Sequence, residues 1–173
     1  GVSGSNLYTG LITVFGGRLV IGNSHALGVT EGIILGNVGT YYDTEASERL
    51  LNEGATLDLN GHHVVHSANF FALGLRGVLE DSQGTGSLSA MEYVLMDGDV
   101  YAVLAGGTDV NLFKTDNALP EFRDEPYDEA RQGTLAGSVN LHVQNQYQGV
   151  TYVLGGTLNT LVSNAFAQST GLV

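Results

Sequence analysis

Tyr8-Thr9-Gly10-Leu11-Ile12-Thr13-Val14-Phe15-Gly16-Gly17-Arg18-Leu19 aligns without gaps with Tyr147-Gln148-Gly149-Val150-Thr151-Tyr152-Val153-Leu154-Gly155-Gly156-Thr157-Leu158. At the same offset Ser24 meets Ser163, Ala26 meets Ala165 and Gly32 meets Gly171. The shared Tyr-x-Gly-x-x-x-Val-x-Gly-Gly-x-Leu pattern marks an internal repeat. The unit is a short β run between glycines. A unit this small cannot bury its own apolar face, so copies must stack to make a core.

The rest of the chain reads the same way. Gly32 to Leu35, Ala55 to Leu59, Gly77 to Glu80, Ser87 to Ser89, Tyr93 to Met96 and Val100 to Leu104 are short β runs. So are Val110 to Phe113, Ser138 to Val143 and Val150 to Leu154. Gly, Asn and Asp punctuate them. Only Glu45 to Asn52 reads as a short helical turn or loop. The 173 residues include 25 Gly, 2 Pro and no Cys or Trp. A hydrophobic content of 43% argues for a packed core over disorder. The expected corners are Tyr-x-Gly and Gly-Gly, where a side chain would clash with the next layer. Between corners, alternate residues face inward, with Leu19 and Leu158 in the core. Layers about 4.8 Å apart turn equivalent residues into ladders. Each parallel sheet is then covered on its inner side only, a departure from the usual two-sided burial.

Asn6 to Gly28 (N-L-Y-T-G-L-I-T-V-F-G-G-R-L-V-I-G-N-S-H-A-L-G) and Gly54 to His62 (G-A-T-L-D-L-N-G-H) resemble the autotransporter-associated β-strand repeat. The resemblance covers Asn6 to Asn37, Gly54 to His66 and Ser138 to Val173. It implies an all-β fold, a right-handed parallel β-helix (β-solenoid), exported to the surface of a bacterium as stalk or adhesin. Two stretches depart from the pattern. Ser47 to Asn52 interrupts the spacing, and Leu112 to Gln132 is an acidic loop insertion. Residues 1–173 otherwise read as one module.

The formal net charge is −12, from 18 Asp and Glu against 6 Lys and Arg. The basic residues are scattered, which excludes nucleic acid and anionic lipid as partners, because both need clustered cations. No apolar run approaches the roughly 20 residues of a membrane helix, so membrane insertion is not expected. The lack of cysteine excludes disulfides and thiol chemistry. The chain opens on Gly1 without a visible signal peptide, as expected of an excerpt, a processed product or one module of a longer protein.

Candidate chemistry is sparse. His62, His63 and His66 form the most metal-like cluster, but zinc needs a further ligand. The alternative is a polar corner. Asp97, Asp99 and Asp109 offer oxygen ligands to calcium, with Asp97-Gly98-Asp99 aiming two carboxylates together. No EF-hand or calcium-repeat spacing accompanies them, and the alternative is an Asx-type turn. In the acidic insertion, Phe122, Tyr127, Asp124 and Glu125 are the candidate partner contacts, because loops concentrate binding residues. The alternative there is a solvated loop. No glycosidase pair, nucleophile elbow or phosphate loop is recognisable, so no catalytic residue, enzyme activity or cofactor is expected.

Three functions follow in order. The first is a structural or adhesive module of an extracellular surface protein, self-associating end to end into a longer solenoid or filament. The second is an adhesin module that binds a surface glycan or protein through residues 112–132. The third is a polysaccharide-active enzyme.

Overall fold

The computed structural model describes residues 6–36, 54–65, 69–115 and 137–173. Among them there is no helix, and every element is a short strand. The strands are β1 (Ile12–Val14), β2 (Gly17–Val20), β3 (Gly32–Leu35), β4 (Ala55–Asp58), β5 (His63–Val65), β6 (Phe70–Leu73), β7 (Gly77–Glu80) and β8 (Ser87–Ser89). They continue as β9 (Glu92–Leu95), β10 (Gly98–Val100), β11 (Val103–Ala105), β12 (Asn111–Lys114), β13 (Ser138–Leu141), β14 (Val150–Val153), β15 (Thr157–Thr160) and β16 (Gly171–Leu172).

These strands form three sheets. The first has the order β1-β3-β6-β9-β12-β14-β16, the second β2-β4-β7-β10-β13-β15 and the third β5-β8-β11. Every strand pairing is parallel. The chain therefore passes from the first sheet to the second to the third and back, one circuit at a time. β3, β4 and β5 make one such circuit; β6, β7 and β8 make the next. In the fifth circuit the third sheet is continued only by a bridge from Ala105 to Gln146.

Register turns the apolar pattern into columns. Ile12, Ile33, Phe71, Tyr93, Leu112, Thr151 and Leu172 lie side by side across the first sheet. Leu19, Leu57, Leu79, Val100, Leu141 and Thr160 do so across the second. Val64, Leu88 and Leu104 complete the set in the third. Most of these side chains meet in one buried cluster enclosed by the three sheets. Phe71 and Tyr93 meet edge to face, with ring centroids 6.4 Å apart, and Tyr147 packs 6.0 Å beyond Tyr93. Such contacts add to the area that the rings bury.

The expectation of one-sided cover is corrected for the first sheet. Ile34, Ala72 and Val94 alternate with the inward residues and so lie on its other face. With Met96 they form a second buried apolar cluster, packed by Leu11 and Phe70. The middle of this sheet is thus buried on both sides, as parallel sheets usually are. That explains why β3 and β6 read as continuous apolar runs.

Two strand boundaries differ from the expectation. Val100 to Leu104 is not one strand: a corner at Tyr101 and Ala102 divides it between β10 and β11. Leu112 to Lys114 is not loop, because these residues form β12 between β9 and β14. Lys114 even occupies an inward column, between Leu95 and Val153. Its buried ammonium donates to the carbonyls of Thr115 and Gly155 at 2.9 and 3.0 Å. Those bonds offset part of the cost of burying a charge. The segments Glu45 to Asn52 and Gly133 to Ala136, with His66, lie outside the described residues.

Corners are held by side chains that satisfy the backbone of the neighbouring circuit. Asp81 accepts from the N–H of Gly61 at 2.6 Å and from the N–H of Gly86. Asn145 accepts from the Leu104 N–H at 3.0 Å, and Asn111 from the Val150 N–H at 2.8 Å. Backbone donors released from the ladders at each corner thereby keep partners.

Candidate functional site

The outward face of the second sheet carries a run of polar side chains with defined partners. One column runs Arg18, Thr56, Val78, Asp99, Asn140, Asn159. Two residues along, Asp58 and Glu80 pair, and Tyr101, His142 and Leu161 extend the row. Strand alternation puts both rows on the side away from the core.

At the early end of this face, Arg18 donates to Asp58 at 2.7 Å. The Glu80 Oε1 lies 2.7 Å from the same nitrogen. That contact lacks hydrogen-bond angles, since the oxygen is buried without a hydrogen-bond partner among the described residues. It is an ion contact only. Burial pushes the Asp58 carboxyl up, but the Arg18 bond and the backbone donors Ser82 and Asn60 outweigh it and hold it at about 2. Asp58 is therefore a fixed anion. It accepts at 3.0 and 2.9 Å from the Ser82 and Asn60 N–H groups and ties two circuits together.

Further along, Asp99 Oδ1 accepts from Asn140 Nδ2 at 3.0 Å and lies 2.8 Å from His142 Nε2. Asn159 Nδ2 donates to Asn140 Oδ1 at 2.9 Å. The His142 ring stacks on Tyr101, with centroids 3.9 Å apart. Three successive circuits are thus cross-linked by an Asp–Asn–Asn ladder beside an aromatic stack. Such side-chain bonds contribute about 1 kcal/mol each. The same device recurs on the first sheet, where Phe113 stacks on Tyr152 at 5.0 Å.

The two fully buried tyrosines stay neutral. Burial raises Tyr93 far above its ordinary value and pushes Tyr147 up to about 12. The Tyr93 hydroxyl lies 2.7 Å from both the Leu88 and Ala105 carbonyls, either of which can take its one proton, and accepts from the Ala90 N–H at 3.2 Å; Tyr147 bonds the Thr151 hydroxyl at 2.6 Å. They brace the interior.

The calcium candidates do not converge. Asp97 accepts from the backbone N–H groups of Arg76 and Ser138, both at 3.0 Å, and so links three circuits at one corner. Asp99 serves the ladder, and Asp109 sits exposed in the turn that closes on Val110. Among the described residues no three His, Asp or Glu are grouped to hold a metal ion. His63 faces solvent, with Nδ1 2.9 Å from Ser87 Oγ. Phe122, Asp124, Glu125 and Tyr127 lie outside the described residues.

The sequence reading missed two groups, Arg18 with Asp58 and Glu80, and Tyr101, Asn140, His142 and Asn159 around Asp99. They are far apart in the chain, and only the register brings them together. The available signal was their shared outward phase in strands of matching type. Comparison with known proteins finds nothing similar: no family model, curated protein or solved structure matches this chain.

Proposed function

We propose that the chain is a segment of a right-handed parallel β-solenoid, a structural and adhesive module of an extracellular bacterial surface protein that stacks end to end. The observation that carries this reading is the cyclic strand order: three parallel sheets visited in turn, with core residues in columns. The right hand follows from the strong preference of parallel crossovers for that sense. The surface location rests on the resemblance to the autotransporter-associated repeat. The sequence repeat supports end-to-end stacking, because its two copies form the first and sixth of the described circuits. Small-angle X-ray scattering and electron microscopy test it. The expected result is a rod that lengthens with concentration; globular particles, or monomers at every concentration, would refute it.

A second reading, an adhesin acting through residues 112–132, draws on one observation. Residues 37–53 and 116–136 both fall in sequence between a strand of the first sheet and the next strand of the second. Deleting residues 116–136 should abolish binding to a glycan or protein array and leave the β spectrum intact. Binding that survives the deletion removes this reading.

A further inference from the structure

Tyr101 stands on the outward face of the second sheet and is 45% exposed. His142 covers one face of its ring, with centroids 3.9 Å apart and planes 19° from parallel. On the other side the row continues to Glu80. No second ring among the described residues stacks on Tyr101.

The polar groups around this ring are fixed but not saturated. Asp99 meets Asn140 and His142 through Oδ1, and Glu80 meets Arg18 through Oε1. Among the described residues, Oδ2 of Asp99 and Oε2 of Glu80 have no hydrogen-bond partner. Asp99 and Glu80 are 34% and 26% exposed. Arg18 reaches Asp58 and Glu80 through Nη2, and its side chain is 52% exposed. Acceptors and a donor with capacity left therefore flank an accessible aromatic face.

That combination is the complement of a polyol. The C–H face of a pyranose is weakly positive and is attracted to the negative face of an aromatic ring. Its hydroxyls donate and accept, and a hydroxyl that donates to a carboxylate makes a strong, charge-assisted bond. An anionic ligand would meet Asp58, Glu80 and Asp99 against Arg18 alone. An apolar ligand would desolvate the carboxylates without pairing them. The side chains are already held by one another, so little further ordering opposes binding.

We propose that the face around Tyr101 binds a pyranose unit of a neutral saccharide. The sugar lies on the Tyr101 ring, Glu80 and Asp99 accept from its hydroxyls, and Arg18 donates beyond Glu80. This goes beyond the readings above: it places recognition on β7 and β10, and needs neither residues 112–132 nor end-to-end stacking.

The test is saturation-transfer NMR on the full chain. The neutral probes are cellohexaose, mannohexaose, maltohexaose and chitohexaose, and an oligogalacturonate of the same length is the anionic one. Irradiating the tyrosine ring protons should transfer saturation to the C–H protons of at least one neutral probe and not to the oligogalacturonate. Tyr101→Ala should weaken that binding at least about tenfold. Tyr101→Phe keeps the ring face and should retain it. Val65→Ser, on the outward face of the third sheet, should change nothing. If Tyr101→Ala loses the β spectrum, Glu80→Gln decides, and unchanged binding in that variant overturns the site. No transfer to any neutral probe, equal transfer to the anionic one, or transfer that survives Tyr101→Ala also overturns it. Transfer lost on deleting residues 116–136 but kept in Tyr101→Ala assigns recognition to the loop, and the adhesin reading then stands without this site.

Discussion

The first and sixth circuits share a sequence pattern and live in different surroundings. Tyr8 is 49% exposed, and its hydroxyl turns back to the Leu11 carbonyl at 2.7 Å. Tyr147, its repeat partner, is 1% exposed and extends the aromatic run of Phe71 and Tyr93. Nothing in the local pattern separates the two. The difference is the neighbouring circuit: Tyr147 has the fourth circuit to pack on, and Tyr8 lies at the end of the described stack. Burial here belongs to the position among the stacked strands, not to the unit.

The largest expected contrast follows directly. Tyr147→Ala should cost about 3–5 kcal/mol, as large aromatic truncations in cores do. Tyr8→Ala should change stability by about 0.5 kcal/mol or less. Urea titrations of both variants check this, and equal losses would end the comparison.

Next come the paired corner glycines. Gly17 and Gly156 have φ of 78° and 66°, a region where other residues are strained. A Cβ on Gly17 meets nothing within 4 Å, whereas one on Gly156 would lie 2.4 Å from the Gly137 carbonyl oxygen. Gly17→Ala should therefore cost about 1 kcal/mol from backbone strain alone. Gly156→Ala adds overpacking and should cost about 2–4 kcal/mol. Thermal melts that rank them the other way would show that the sixth circuit yields more readily than its contacts imply.

Acid sharpens the comparison, because Arg18 has Thr157 as its repeat partner, so the sixth circuit lacks the cation of the ion cluster. Asp58, normally near 3.8, is held at about 2 when folded. A depressed carboxyl contributes its stability in full above its unfolded value and loses it as pH falls through the folded one. Stability should thus drop between about pH 4 and pH 2. The Asp58 share is on the order of 1–2 kcal/mol, discounted because Arg18 is half exposed. Asp58→Asn should flatten that part of the acid profile; an unchanged profile would assign the acid sensitivity elsewhere.

The smallest effect concerns the outward ladder that carries the later circuits. Asn140→Ala removes the bonds to Asp99 and Asn159 and should cost about 1 kcal/mol. Hydrogen exchange should report the loss in β13 and β15 first, and uniform loosening of all strands would show that the ladder is not local.

Much of the architecture was legible. β7 and β8 fall where alternation puts them, β3 is an apolar run set between Gly32 and Gly36, and the repeat foretold stacked parallel units. β6 went unread because Phe70-Phe71-Ala72-Leu73 does not alternate. It lies mid-sheet, buried on both faces, where period-two reasoning has nothing to detect. The split between β10 and β11 was hidden because Tyr101 and Ala102 carry no glycine, proline or asparagine. The candidate site was barely legible, since its members meet only across strands.

The repeat also shows where sequence stops deciding. It matches Leu19 with Leu158, yet the ladder places Leu158 in the column of Gly17, through Val139 and Gly98. In the first sheet Ile12 and Thr151 share a column as the repeat requires. A slip of two residues keeps every side chain on its own face, so the pattern of apolar and polar residues cannot forbid it. Sequence alone determined the element type, the inward phase and the need to stack, because these depend on local propensity and alternation. Only the tertiary structure decided which register each strand took, which tyrosine was buried and which polar groups met, because those depend on the circuit next door.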